Sequence, residues 1–158
     1  MATSIRPPSQ GDFAGWQSLW KSYLVFYGTG LPEEQTTGLW QRILDPDHPI
    51  SCGLAERGGQ LVGLVHFVPH PDTWGDRPTC YLQDLYVDER FRGEGVGADL
   101  IESVAERARD EGWSAVYWLT AEDNHRARAL YDKLTGGTSG FITYELDVDR
   151  PGTEHQPT

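Results

Sequence analysis

Residues 90–98 read Arg-Phe-Arg-Gly-Glu-Gly-Val-Gly-Ala, and they join an apolar, aromatic stretch at 81–87 to a helical repeat that begins at Val96. Glycines at 93, 95 and 97 place a turn without Cβ atoms between a strand and a helix, so the backbone can approach a ligand and aim several amides at one point. A helix N-terminus adds about half a positive charge there, which makes a diphosphate the natural occupant. Arg90 and Arg92 add the formal positive charge that the rest of the chain lacks.

Two nucleotide-binding loops are excluded by the letters. A Walker A loop ends in Gly-Lys-Ser/Thr to reach phosphate and magnesium, whereas this loop ends Val96-Gly97-Ala98. A dinucleotide fingerprint spaces its glycines G-x-G-x-x-G early in a βαβ unit, whereas these alternate strictly and follow short strands joined by tight turns.

The chain has 158 residues, a size that suits one domain, here 1–148, followed by a polar, proline-containing tail at 149–158. Its 24 acidic against 13 basic residues give a net charge of -11, the wrong sign for gripping a nucleic-acid backbone and the right sign for attracting cationic ligands. Cys52 and Cys80 each lie in an apolar stretch and read as reduced core residues. His48, His66, His70, His125 and His155 show no ligand spacing, so no metal is expected. No apolar stretch approaches the roughly 18 residues of a membrane span, and the N-terminus has no apolar core of a leader, so a cytoplasmic location is expected.

Along the chain, a short strand near Ser4–Arg6 precedes a helix over 13–26 with Asp12 as its N-cap, then a second helix over 33–44 that stops before Asp45-Pro46. Runs at 52–56 and 61–68, joined by Arg57-Gly58-Gly59-Gln60, predict a hairpin, and 81–87 predicts a further strand. A helix from Val96 ends at Gly112, a strand follows at 115–119, a helix at 124–134, and 140–148 reads as a final strand.

The run Arg92-Gly93-Glu94-Gly95-Val96-Gly97 fits the pattern R/Q-x-x-G-x-G/A, and the element order over about residues 3–147 is similar to that of the GNAT superfamily of acyl-coenzyme A N-acyltransferases. The resemblance implies an α+β fold: a mostly antiparallel, twisted sheet of six to seven strands flanked by about four helices. Acetyl-coenzyme A is implied as acetyl donor, and the nearest branch looks like the diamine and polyamine acetyltransferases and related small-amine enzymes. A homodimer in contact through 141–148 is implied as well.

Site residues follow from the same resemblance. The backbone of Leu85, Tyr86 and Val87 would pair with the pantetheine arm, while Arg92, Gly93, Glu94, Gly95, Val96, Gly97 and Ala98 would hold the pyrophosphate. Asn124 would bind the pantetheine and Tyr131 would return a proton to the leaving thiolate; two helical turns apart, they share one helix face. Tyr23, Tyr27, Gln83 and Thr120 fall on the acceptor side. Tyr23, Phe26 and Tyr27 also fit an ordinary core stripe. An alkylamine is mostly protonated at neutral pH and needs a base. The polyamine enzymes have a Glu where this chain has Gln83, so Asp84, acting through water, is the expected base; a structural carboxylate is the other reading. On a regular strand Gln83 and Asp84 face opposite sides, so only one reaches the cleft unless a bulge intervenes. His66 and Glu122 stand in reserve.

The function so implied is direct acetyl transfer to a primary amine of a small cationic acceptor. A protein lysine or N-terminus, an amino acid or an amine antibiotic are the alternative acceptors. A non-catalytic acyl-coenzyme A sensor is the alternative of another class.

Overall fold

The computed structural model describes residues 2–149, and they form five strands and four α-helices. The order is β1 (Ser4–Arg6), α1 (Phe13–Phe26), α2 (Glu33–Leu44), β2 (Ser51–Arg57), β3 (Gln60–His70), β4 (Thr79–Val87), α3 (Val96–Glu111), β5 (Val116–Tyr117) and α4 (His125–Thr135). They fall into two compact units, one up to Leu119 and one from Thr120 onward.

The first unit carries the whole sheet, in the order β1-β2-β3-β4-β5. Its first three pairings are antiparallel, whereas β4 and β5 run parallel and pair only at Cys80↔Val116 and Tyr81↔Tyr117. The β2–β3 hairpin closes on Gly58 and Gly59 at φ +57° and +79°, the doubly left-handed geometry that suits the twist of the flanking strands. Helices cover both faces of the central strands, which is why 52–55 and 62–67 are buried throughout rather than on alternate residues.

One face packs against α1 and α2 through an aromatic core of Trp16, Trp20, Trp40, Leu54, Leu64 and Tyr86. The other takes α3, whose Val96, Leu100, Ile101, Val104 and Ala108 recur at helical spacing and are all buried. Leu100 is fully buried, so truncating it to Ala would cost about 2–5 kcal/mol.

A β-bulge sits in the middle of β4. His66 pairs with Asp84 and Phe67 with Leu82, so Gln83 is an extra residue with no partner on β3. The bulge reverses the side-chain alternation between Leu82 and Asp84. Asp84 therefore lies on the α1 face with Tyr81 and Tyr86, rather than beside Leu82 against α3.

Three expectations are corrected. Segment 140–148 forms no strand, and Phe141, Ile142, Tyr144, Leu146 and Val148 are exposed; apolar alternation creates a strand only where a neighbouring edge pairs with it. The strand expected over 115–119 shrinks to two residues because pairing with β4 stops at Tyr81. Asp12 stands at the N-cap of α1 without capping it: its carboxylate accepts from Arg6 and from Ser9 N–H, a stronger set of partners than a helix amide. The tail expected at 149–158 lies, beyond Asp149, outside the described residues.

Candidate active site

The glycine loop forms as its composition requires. Gly93 and Gly95 adopt φ +79° and +88°, and Gly95 is the N-cap of α3 without any side-chain cap. The first-turn amides of α3 therefore keep the donors that every helix start leaves without intrahelical partners. A Cβ built on Gly95 meets nothing within 4 Å, so the space in front of the loop is open. This arrangement fits a pyrophosphate: a helix start with no side-chain cap, open access and the positive end of a 16-residue helix.

The arginines around the loop are engaged in unexpected ways. Arg90 is exposed and paired with Asp88, Nη2 to Oδ2 at 2.7 Å. Arg92 donates its Nε to the Val87 carbonyl at 3.0 Å and lays its guanidinium over the rings of Phe26 and Tyr86, at 5.6 and 5.4 Å. Arg57, in the β2–β3 turn region, pairs with Glu94 and stacks on Phe91. Sequence reasoning missed Arg57 because 37 positions separate it from Glu94 and nothing in a hairpin turn marks such a partner.

Beyond Tyr81, β5 no longer follows β4, so the far edge of 83–87 has no strand partner among the described residues. An open edge of this kind accepts an amide-containing arm by strand addition. Leu85, Tyr86 and Val87 lie on it, although the Val87 carbonyl is already occupied by Arg92.

Asp84 is the centre of a small polar network on the α1 side. Tyr23 donates its hydroxyl to Oδ1 at 2.7 Å, and Nδ1 of His66 lies 3.0 Å from Oδ2. Behind His66, the indole N–H of Trp16 donates to Nε2 at 3.0 Å. Tyr27 packs on Tyr23 with centroids 4.9 Å apart, and Tyr86 meets Tyr23 edge-on at 6.3 Å. Burial, and after it the charge of Asp84, pushes the Tyr23, Tyr27 and Tyr81 phenols upward; for Tyr23 the hydrogen bond to Asp84 adds to both. The polar partners of Asp84 among the described residues are thus the Tyr23 hydroxyl and the His66 ring, in a wall of phenols.

Tyr23 is half-buried, packed against the aromatic core and bonded to Asp84, while Phe26 and Tyr27 are more than half exposed. The bulge brings Asp84, not Gln83, to that face; Gln83 is exposed on the bulge itself. His66, a reserve candidate, is buried and joined to Asp84, whereas Trp16 was legible only as core.

The second unit holds the remaining expected residues. Asn124 caps α4, its Oδ1 accepting the Ala127 amide at 3.4 Å, and Tyr131 is half-buried within the same helix. Thr120 and Glu122 are exposed, and the Glu122 carbonyl accepts from Arg128. Among the described residues no group of His, Cys, Asp and Glu could hold a metal, and no helix is long and apolar enough to cross a membrane. Both cysteines are unpaired, and burial pushes the Cys80 thiol up to about 11.

Residues 15–136 match the model of the acetyltransferase (GNAT) family. The chain belongs to this family. It is an acetyl-coenzyme A-dependent N-acetyltransferase with the mixed α+β fold that its sequence implies, with five strands among the described residues rather than six or seven. The D-amino-acid N-acetyltransferase HPA3 of Saccharomyces cerevisiae is 41% identical over 133 residues, covering 83% of each chain. The thialysine N-epsilon-acetyltransferase of Bos taurus is 42% identical over 78 residues, 49% of this chain and 45% of its own. Both relatives carry amino-acid acceptors in their names rather than diamines or polyamines. The fold is shared with AAC(6')-Iy, solved in complex with a bisubstrate analogue, at a TM-score of 0.80 and 19% identity, covering 93% of this chain and 99% of that one.

Proposed function

We propose that the chain acetylates the primary amine of a small ammonium-bearing metabolite, free amino acids and aminoalkyl compounds included, with Asp84 as general base. One observation carries this reading: a carboxylate bonded to Tyr23 and His66, walled by Tyr23, Tyr27, Tyr81 and Tyr86, beside the open edge of β4. A carboxylate among phenol rings attracts an ammonium group by charge and by the ring faces together. The names of the amino-acid-acetylating relatives support a small acceptor.

Acetyl-coenzyme A brings an acetyl thioester. The acceptor ammonium loses one proton through water to Asp84, the freed amine attacks the acetyl carbon to form the C–N bond as the C–S bond breaks, and the nitrogen sheds its second proton to water while the thiolate gains one. By the resemblance that proton comes from Tyr131, and Asn124 holds the pantetheine. The backbone amides at 93–98 hold the pyrophosphate, and the edge at 85–87 holds the arm. Tyr23 and Tyr27, on the Asp84 face, select the acceptor.

The reading includes a homodimer in the cytoplasm, with a second copy covering the exposed Phe141, Ile142, Tyr144, Leu146 and Val148. Sedimentation of a variant with Ile142→Asp and Leu146→Asp tests the contact, and an unchanged mass would remove it.

An acceptor screen by thiol release tests the activity, using free D- and L-amino acids, lysine analogues, diamines and aminoglycosides. Turnover with at least one free amine is expected. Turnover only with a protein lysine or N-terminus, or with no amine at all, would overturn the proposal.

A further inference from the structure

Trp16 is completely buried, and its indole N–H points at Nε2 of His66, 3.0 Å away. An indole nitrogen can only donate, so Nε2 must accept and cannot carry a proton. A neutral imidazole with a bare Nε2 has its hydrogen on Nδ1. In this structure Nδ1 is the atom that faces Oδ2 of Asp84, also at 3.0 Å. The bond therefore runs from His66 to Asp84, and its direction is fixed by a tryptophan on the far side of the ring.

Turning the ring over would cost it both hydrogen bonds. His66 is 2% exposed, lies between Cys52 on β2 and Asp84 on β4, and meets the rings of Trp16 and Trp20 at 6.0 and 5.1 Å. A doubly protonated ring would set an Nε2–H against the Trp16 N–H, two donors face to face at 3.0 Å.

We infer that Trp16 and His66 are positioning residues for the reaction: Trp16 selects the Nδ1–H form of His66, and His66 with Tyr23 clamps the two oxygens of Asp84. The inference rests on the reading of Asp84 as the base. With Oδ1 taken by the Tyr23 hydroxyl and Oδ2 by His66, the carboxylate cannot turn about its Cβ–Cγ bond without losing a charge-assisted hydrogen bond. The base thus meets the acceptor in one fixed orientation. His66 is itself not a base: its only free nitrogen is capped by Trp16, so the proton taken from the acceptor stops at Asp84.

Two side-chain amides imitate the two halves of the imidazole. In His66→Asn the amide N–H can replace Nδ1–H toward Asp84 while the Trp16 partner is lost. In His66→Gln the amide oxygen reaches the Nε2 position and satisfies Trp16, while the donor to Asp84 is lost. A hydrogen bond to a charged group corresponds to about 10–100-fold in rate. We expect kcat to fall by about that factor in His66→Gln and by less than about 10-fold in His66→Asn, with KM for both substrates nearly constant. A merely structural histidine would give equal losses in both variants, in step with melting temperature, and that result would overturn the inference.

Nitrogen-15 NMR of the wild-type enzyme reads the tautomer directly and needs no variant to fold. A protonated Nδ1 and a bare Nε2 are expected at neutral pH, and the opposite tautomer would overturn the inference. Full activity of Asp84→Asn would remove the base assignment, and the positioning role with it, while the NMR result would still report the Trp16–His66 contact.

Discussion

Asp84→Asn separates chemistry from architecture at the centre of the site. The two shapes are the same, so the question is whether the two donors aimed at the side chain stay satisfied. The Asn oxygen can take the His66 Nδ1–H in place of Oδ2, which leaves the amide NH2 facing Tyr23 at the former Oδ1 position, 2.7 Å from the hydroxyl. A phenol both donates and accepts, so the Tyr23 hydroxyl turns and accepts from the amide. Two charge-assisted bonds become neutral ones, a loss of about 1 kcal/mol each, and the half-buried charge no longer has to be desolvated, which offsets most of it. The net change in stability should be about 1 kcal/mol or less, or about 2–4 °C in Tm. Loss of a general base, by contrast, lowers kcat by about 100- to 10,000-fold. Thermal unfolding and steady-state thiol release on the same preparation measure both. Retention of kcat within about 3-fold would refute Asp84 as base, since that is far below the range for general-base loss; a loss of activity matched by a collapse of Tm would refute the hydrogen-bond reasoning.

Gly95→Ala probes the loop. A residue with a Cβ pays about 1–2 kcal/mol at the φ of +88° found here, and its methyl projects into the open space before α3. Stability should fall by that amount, and KM for acetyl-coenzyme A should rise more than KM for the amine; an unchanged cofactor KM would place the pyrophosphate elsewhere. Asp12→Asn probes the ion cluster that ties β1 to β2. The Arg6 guanidinium holds the Asp12 carboxyl well below its ordinary range, so the folded value lies beneath the unfolded one. The stabilisation is fully present above the unfolded value of about 3.9 and is lost as pH falls toward the folded one. Urea unfolding should therefore show a wild-type advantage over the variant at neutral pH that narrows below about pH 4, and a constant gap would contradict the assignment.

What the sequence revealed and what it hid follow from the range of the interactions. The glycine loop, α1, α3 and the hairpin were legible because each depends on local geometry: positive φ at Gly93 and Gly95, helical spacing from Val96, a two-glycine turn after Arg57. Leu82, Gln83 and Asp84 were legible as strand but not as a bulge, because the extra residue is defined only by pairing with His66 and Phe67. The network behind Asp84 was hidden for the same reason, since Trp16 and His66 are 50 positions apart. A polar His in an otherwise apolar strand was the one signal of it. Segment 140–148 misled because Phe141, Tyr144, Leu146 and Val148 have strand propensity, and propensity cannot supply a partner edge.

The central claim is that the acceptor amine meets the Tyr23–Asp84 face of β4. A crystal structure with a thioether analogue that joins coenzyme A to an accepted amine tests it most directly. The amine nitrogen should lie beside Asp84, in contact directly or through one water, among Tyr23, Tyr27 and Tyr81. An acceptor bound away from that face, with Asp84 and Tyr23 bonded to each other as before and no water between them and the nitrogen, would contradict the account.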